Sequence, residues 1–426
     1  MELEPSAVVA FVLLATPLAP GFFAGAAPGS TSPPPIVLGA AAATGIDLGK
    51  SVFETQWGTA SEPGIDARVG LGPLFNAASC STCHFQGSHG QGPVSDGPTP
   101  VALVIQLESP GKDAVGDPTY GRVFTTSAIV GVKREGGVEV RYNEIRGYYY
   151  PFGPQWSMRV PHYSLTGLNY GALARTTVIK PRLAPQLFGI DQLEAVPEDA
   201  IVHPSSVRTG AAGYGAPAWQ TWQGKRVLGR FGWQGSAVSI RDQTVLALAH
   251  EIGLTSRDRS LDDCTAVEAA CRSLHDGSAP KISDVFVDAL VAYQRSFAVP
   301  APLDPGNKNS LGARLFTDIG CAVCHRPRLG DIAPYTDLRL HNLGPEMADE
   351  TAAGEKVFSQ WRTAPLWGLR YRMKTEINPT FLHDGRARST EEAVLWHSGE
   401  ASRARFRFEK LGPNSRDALL KWIEAL

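Results

Sequence analysis

Four cysteines, each pair followed at once by a histidine, have the most chemistry to offer. They stand in Cys80-Ser81-Thr82-Cys83-His84 and Cys321-Ala322-Val323-Cys324-His325. The spacing C-x-x-C-H is the attachment signature of c-type haem. Two thiols can form thioether bonds to the haem vinyl groups, and the adjacent imidazole is then held where it can ligate the iron from one face. Two other readings compete. Paired C-x-x-C motifs can hold zinc, but zinc half-sites usually lie within about twenty residues of each other, and these stand at opposite ends of the chain. A thioredoxin-like redox pair needs a βαβ setting, of which the sequence carries no sign. The motifs therefore predict two covalently bound haem c groups. Cys80, Cys83, Cys321 and Cys324 are the attachment points, and His84 and His325 are the proximal iron ligands.

The second axial position decides what such irons do. An open position can bind peroxide or oxygen, whereas iron ligated on both faces mainly transfers electrons. Beyond the second motif, Phe381-Leu382-His383-Asp384-Gly385-Arg386-Ala387-Arg388-Ser389 runs into a predicted helix. Ser389 and Glu392 read as a capping box, which places His397 about two turns in, beside Ala393, Val394 and Trp396. His397 and His383 are both candidates for the second iron. At the first iron, His89, Met158, His162, His203 and His250 could fill the position, and no spacing rule selects among them.

The elements that must position these groups come in two sets. Leu74-Phe75 precedes the first motif by the same interval as Leu315-Phe316 precedes the second. Arg182-Leu183-Ala184-Pro185 with Gly189 matches Arg362-Thr363-Ala364-Pro365 with Gly368. Asp288-Ala289-Leu290-Val291-Ala292-Tyr293 matches Asp417-Ala418-Leu419-Leu420-Lys421-Trp422. Three blocks in one order predict a duplicated haem unit. Leu419, Trp422, Ile423 and Leu426 fall on one helical face, with Asn414 or Ser415 as N-cap. Phe286, Ala289, Leu290, Tyr293 and Phe297 make the equivalent stripe, starting near Ser283. Val138-Glu139-Val140-Arg141-Tyr142 alternates like a strand after a Gly-Gly turn. The expected fold class is mainly α: two cytochrome c-like haem domains, residues 46–298 and 299–426. The first is expected to carry a β-rich insertion at about 100–160. Ala298 to Gly306, rich in proline, reads as the boundary.

Composition narrows the class further. The chain has 426 residues, 44 glycines, 32 prolines and a net charge of −2 with no basic run, so nucleic acid is not an expected partner. Residues 1–26 read as a signal peptide, with an apolar run from Ala7 to Ala15 and small residues at Ala24-Gly25-Ala26. The leading Met1-Glu2-Leu3-Glu4 is acidic where such signals are normally basic. The apolar run is too short for a permanent span, and 27–45 reads as a linker. Haem c is attached outside the bacterial cytoplasm, so a periplasmic location is expected. Cys264 and Cys271 remain as a candidate disulfide. Seven residues of straight helix would separate them by about 10 Å, past the roughly 7 Å limit, so a bridge requires a bend between them.

These residues also carry a resemblance. Phe381 to Trp396, with Trp361-Arg362-Thr363-Ala364-Pro365, resembles the C-terminal half of bacterial di-haem cytochrome c peroxidases and of the di-haem enzyme that matures methylamine dehydrogenase. Gly70-Leu71-Gly72-Pro73-Leu74-Phe75-Asn76, Leu228-Gly229-Arg230-Phe231-Gly232-Trp233 and Tyr335-Thr336-Asp337-Leu338 with His341 extend the match over nearly the whole mature chain. In these the sequence is similar to the di-haem oxidoreductase family, labelled peroxidase and sometimes thiol oxidoreductase. In the peroxidases the second haem takes a distal ligand from the helix after H-D-G. His397 stands there, which implies a bis-histidine relay haem. The resemblance further implies that hydrogen peroxide, or another small oxidant, meets the His84 haem. Glu194 is the candidate for moving its proton, against the alternative of an exposed carboxylate at a helix start. Trp233 is the candidate electron relay, against simple packing. A small cytochrome c or cupredoxin would be the donor, and a calcium ion could sit between the domains, its ligands unassigned. The implied function is a periplasmic di-haem c-type oxidoreductase of peroxidase type. The alternatives are an electron carrier with both irons six-coordinate, or an enzyme oxidising a protein or thiol.

Overall fold

The computed structural model describes residues 40–59, 68–110, 116–149, 151, 153–202, 215–260, 263–274, 280–302 and 310–426. The expected signal peptide, linker residues 27–39, His203 and the end of the proline-rich boundary segment lie outside them. Residues 40–426 form one compact unit. The linker reading of Ala40–Ala43 is corrected at the level of the backbone, because a helix runs from Ala40 to Glu54.

The mainly α expectation fails. Helix makes up about 31% and strand about 22%, with several sheets. The largest sheet has five antiparallel strands in the order Lys356–Val357, Asp349–Thr351, Val178–Leu183, Leu103–Glu108, Val123–Phe124. Its strands come from both halves of the chain, so β-structure joins the two haem units where an ornament on the first was expected. The second-half strands are two or three residues long, too short for any alternation to register in the sequence. A second device also crosses between the halves. The hairpin Gly137–Tyr148 and Gln155–Thr166 pairs along its full length. From it Arg159 reaches the second half, its backbone N–H donating to Glu392 at 2.7 Å and its Nε to the Arg386 carbonyl at 2.7 Å.

The duplication is visible in three dimensions, with one of its blocks reassigned. Leu311–Asp318 leads into the second motif and packs on the closing helix Pro413–Ile423. Its counterpart is Ala40–Glu54, which packs on Asp284–Arg295. A Cβ on Gly312 would lie 2.4 Å from that of Trp422, and one on Gly49 would lie 1.9 Å from the Ala289 carbonyl oxygen. Glycine is what lets each helix pair approach so closely. Four residues on, Phe316 meets Trp422 at 5.0 Å between ring centroids and Phe53 meets Tyr293 at 5.3 Å. The pairing is therefore Gly49/Phe53 with Gly312/Phe316. Leu74–Phe75 is instead a short strand on Ser127–Ala128, so its matching interval to the motif was coincidental. The closing helix of the second half starts at Pro413 after Gly412, not at Asn414 or Ser415. Proline fits the first helical position because its missing N–H would have no partner there. Ser283 does precede the first closing helix.

Cys264 and Cys271 are bridged, with Cα atoms 5.7 Å apart. The required bend is the passage from loop into the short helix Ala269–Ser273. Among the described residues no helix is long and apolar enough to cross a membrane.

Candidate functional site

Both C-x-x-C-H motifs open on one cavity of about 910 Å³ that runs between the halves. Each motif closes a single turn, with the His84 N–H donating to the Cys80 carbonyl at 3.0 Å and the His325 N–H to Cys321 at 2.9 Å. The turn fixes each histidine beside its two thiols. Burial pushes the Cys80, Cys83 and Cys321 thiols up to about 12, so they stay protonated at neutral pH. A protonated thiol is a poor zinc ligand, because the thiolate is the form that binds metal. The cysteine pairs also do not converge on one metal. Among the described residues, the only grouping of three or more potential ligands is Cys324, Asp337 and His341.

In the second half, His325 and His397 face each other with ring centroids 6.2 Å apart. His325 Nδ1 is 3.0 Å from the Tyr335 carbonyl oxygen and His397 Nδ1 is 2.7 Å from that of Ala393. In each ring Nδ1–H donates to the carbonyl, which leaves Nε2 as the free acceptor, the tautomer a metal needs. Burial, with His397 adding to it, lowers His325 to about 4, and burial also lowers His397. Both are neutral at pH 7. Nitrogens about 2 Å from a shared ion would put two imidazole centres roughly 6 Å apart, so this pair fits an axially ligated iron. His397 lies just past the helix Thr390–Leu395, whose cap is Trp396, not two turns inside it. Ser389 does cap that helix, but Glu392 returns its carboxylate to the Arg388 N–H, so the capping box is only half formed.

His383, the competing candidate, also lines the cavity, but its ring is stacked 3.7 Å from that of Trp361. Burial lowers it to about 3.

The first half has the same scaffold with different occupants. Phe231 bridges Ala237 as Phe381 bridges Ala387, and Ser239 caps the helix Ile240–Ala247 as Ser389 caps its counterpart. Matching the two caps sets Trp233 against His383 and Ala247 against His397. A methyl group thus stands where the second half has an imidazole. His84 lines the same cavity as this helix, lowered to about 4 by burial against partial opposition from the backbone at Pro185 and Ser88.

Glu194 does not line the cavity. One of its oxygens accepts the Ile240 N–H at 2.8 Å and the other pairs with Arg295 at 2.5 Å. It caps the helix that Ser239 starts and ties it to the closing helix. The carboxyl that does line the cavity is Glu251. It sits in the π-turn Leu248–Ile252, one turn beyond Ala247, and such turns are frequent at functional sites. Burial raises Glu251 to about 7, against an Asn76 amide donating at 3.1 Å. The sequence signal for it was faint: a glutamate one helical turn past the place corresponding to His397.

Of the other residues that could cap the first iron, His89 lines the cavity as a buried imidazole held well below its ordinary value by burial and by Arg372. Met158 packs in the second-half core, His162 sits on the hairpin against Asn143, and His250 contacts Asp263. Trp233 lines the cavity, donates from Nε1 to the Leu183 carbonyl at 2.7 Å and meets the His89 ring edge-on at 5.8 Å.

A further cluster was not singled out as a site in the sequence. His341 is held at 2.9 Å by Asp337 and at 2.9 Å by Glu400. Burial opposes its charge, but hydrogen bonding to Asp337 outweighs burial and raises the imidazole above its ordinary value at the cavity wall.

A family described as "Di-haem oxidoreductase, putative peroxidase" matches residues 177–426. No curated protein is a significant match. Among solved structures, a chain of Kuenenia stuttgartiensis hydrazine synthase pressurised with xenon is similar at 14% identity. The match covers 61% of this chain and 97% of that one, with a TM-score of 0.27, a score too low to carry an argument.

Proposed function

The chain belongs to the di-haem oxidoreductase family, and we propose from that premise that it is a periplasmic peroxidase with two unequal c-type centres. Cys80, Cys83 and His84 would hold the reactive haem. Cys321, Cys324, His325 and His397 would hold the relay haem. When bound, haem supplies a redox-active iron at each centre. The single observation that carries the reading is the exchange of Ala247 for His397 on matched helices. One centre is supplied with two imidazoles, whereas the matching position of the other offers no ligand.

The net reaction would be H₂O₂ + 2e⁻ + 2H⁺ → 2H₂O. Glu251 is suited to move the proton, since a carboxyl near 7 can take it from one peroxide oxygen and return it to the departing one. Its burial in the cavity wall is what keeps the carboxyl poised. Trp233, at the seam of the two halves, would pass electrons between centres. They would come from a small cytochrome c or a cupredoxin. Calcium between the halves stays part of the proposal on resemblance alone. His89 favours a second reading, because a buried neutral imidazole in the same cavity could close the first iron and leave a pure electron carrier.

The ferric and half-reduced spectra with a few equivalents of peroxide separate the two. A high-spin component that peroxide alters supports the enzyme, and low-spin haems indifferent to peroxide support the carrier. Glu251→Gln should slow the peroxide reaction by about 10²–10⁴-fold. The group is raised from its ordinary range, so its base form grows as pH rises through about 7. The wild-type rate should climb there, and the variant should lose that climb. An unchanged rate would remove Glu251 from the mechanism.

A further inference from the structure

Two arginines in matched places behave differently. Arg182 and Arg362 each open an Arg-x-Ala-Pro block. Arg182 is 4% exposed and lies outside the cavity lining; its two terminal nitrogens each meet an oxygen of Asp349 at 2.8 Å. Its charge is fully answered within the chain. Arg362 is 8% exposed and lines the cavity. Its Nε donates to the Gly232 carbonyl at 2.9 Å and its Nη1 to that of Thr363 at 3.3 Å. Both acceptors are backbone oxygens, and among the described residues no carboxylate forms an ion pair with it. A guanidinium has five N–H donors and does not shed its charge in proteins. A buried cation without a carboxylate is costly unless an anion completes it.

Resting on the two-haem reading, we propose that Arg362 anchors a carboxylate presented inside the cavity, a propionate of one of the porphyrins. Haem carries two propionates, and planar bidentate recognition of a carboxylate is what a guanidinium does best. Burial draws Arg362 down to about 10, with Asp337 only partly opposing, which is the strain that a bound anion would relieve. Arg182 cannot take this role because Asp349 already occupies its fork.

The test is a spectroelectrochemical titration of both haems in the haem-loaded full chain, comparing wild type with Arg362→Gln and Arg362→Lys. Losing a cation beside a propionate favours the oxidised form. The oxidised-to-reduced ratio of one haem should rise about tenfold in the glutamine variant, equivalent to about 59 mV for a one-electron couple. The other haem should not move, and the lysine variant should keep most of the wild-type potential. Two haems with unchanged potentials in Arg362→Gln would overturn the proposal. If Arg362→Gln fails to load haem, the lysine variant decides: a near-wild-type potential supports the anchor, and a full drop overturns it. Acetate or phosphate titrated into wild type should leave both potentials alone. A saturable shift that vanishes in Arg362→Gln would mean the site takes a free anion and would refute the propionate. Wild-type protein without haem, by pyridine haemochrome, would instead remove the reading on which the proposal stands.

Discussion

The first half places Ala247 where the second places His397, Trp233 where the second places His383, and a neutralised Arg182 where the second leaves Arg362 facing the cavity. The scaffolds beneath these differences agree: a glycine-notched leading helix, a one-turn C-x-x-C-H, a serine-capped helix and a closing helix. Duplication therefore fixed the frame while the cavity-facing residues diverged. The second motif is faced by a pair of imidazoles, whereas the cavity beside the first is lined by a buried carboxyl, Glu251. Under the proposed function, a change of single side chains on a shared backbone would separate a relay from a reactive centre, because axial ligation governs whether iron can meet an oxidant.

Exchanging the two ligand positions should give the largest effects. Ala247→His should close the first centre and abolish the peroxide reaction, while His397→Ala should open the second and produce a high-spin signal in the ferric spectrum. If Ala247→His reacts with peroxide at the wild-type rate, the two helices are not functionally matched. Next comes the arginine contrast. Asp349→Asn strands a buried guanidinium and should cost about 3–5 kcal/mol in denaturant unfolding. Burial would raise Asp349, but Arg182 overrides it and holds the carboxyl below its ordinary value. Its contribution is therefore present above the ordinary carboxylate range and is lost as the pH falls through the depressed value. The variant's deficit should shrink in acid. The smallest expected effect is at the matched caps, where Ser239→Ala and Ser389→Ala should each cost about 1 kcal/mol. Unequal losses would show that one helix is held mainly by its tertiary contacts. Arg159 makes the second helix the candidate for that role.

Much of the frame was legible because it rests on local pattern. The C-x-x-C-H motifs, the Ser389 cap and the stripes of the closing helices each occupy a few consecutive turns, where spacing alone carries information. The Leu74/Leu315 match failed because an interval of four residues recurs by chance, whereas Gly49/Phe53 and Gly312/Phe316 are matched by what they touch. Glu194 was a reasonable choice along the chain, yet its carboxylate belongs to a helix N-terminus and Arg295. Glu251 could be found only by laying one half over the other.

The sequence by itself supplied the two C-x-x-C-H signatures, the family and the internal duplication, since motif spacing and helix periodicity depend on neighbours a few residues away. Only the tertiary structure decided which carboxyl, arginine and imidazole face the shared cavity, and that the sheet binds both halves into one body. Those outcomes depend on burial and on pairings between residues as distant as Arg182 and Asp349. Long-range contact of that kind leaves no periodic trace along the chain.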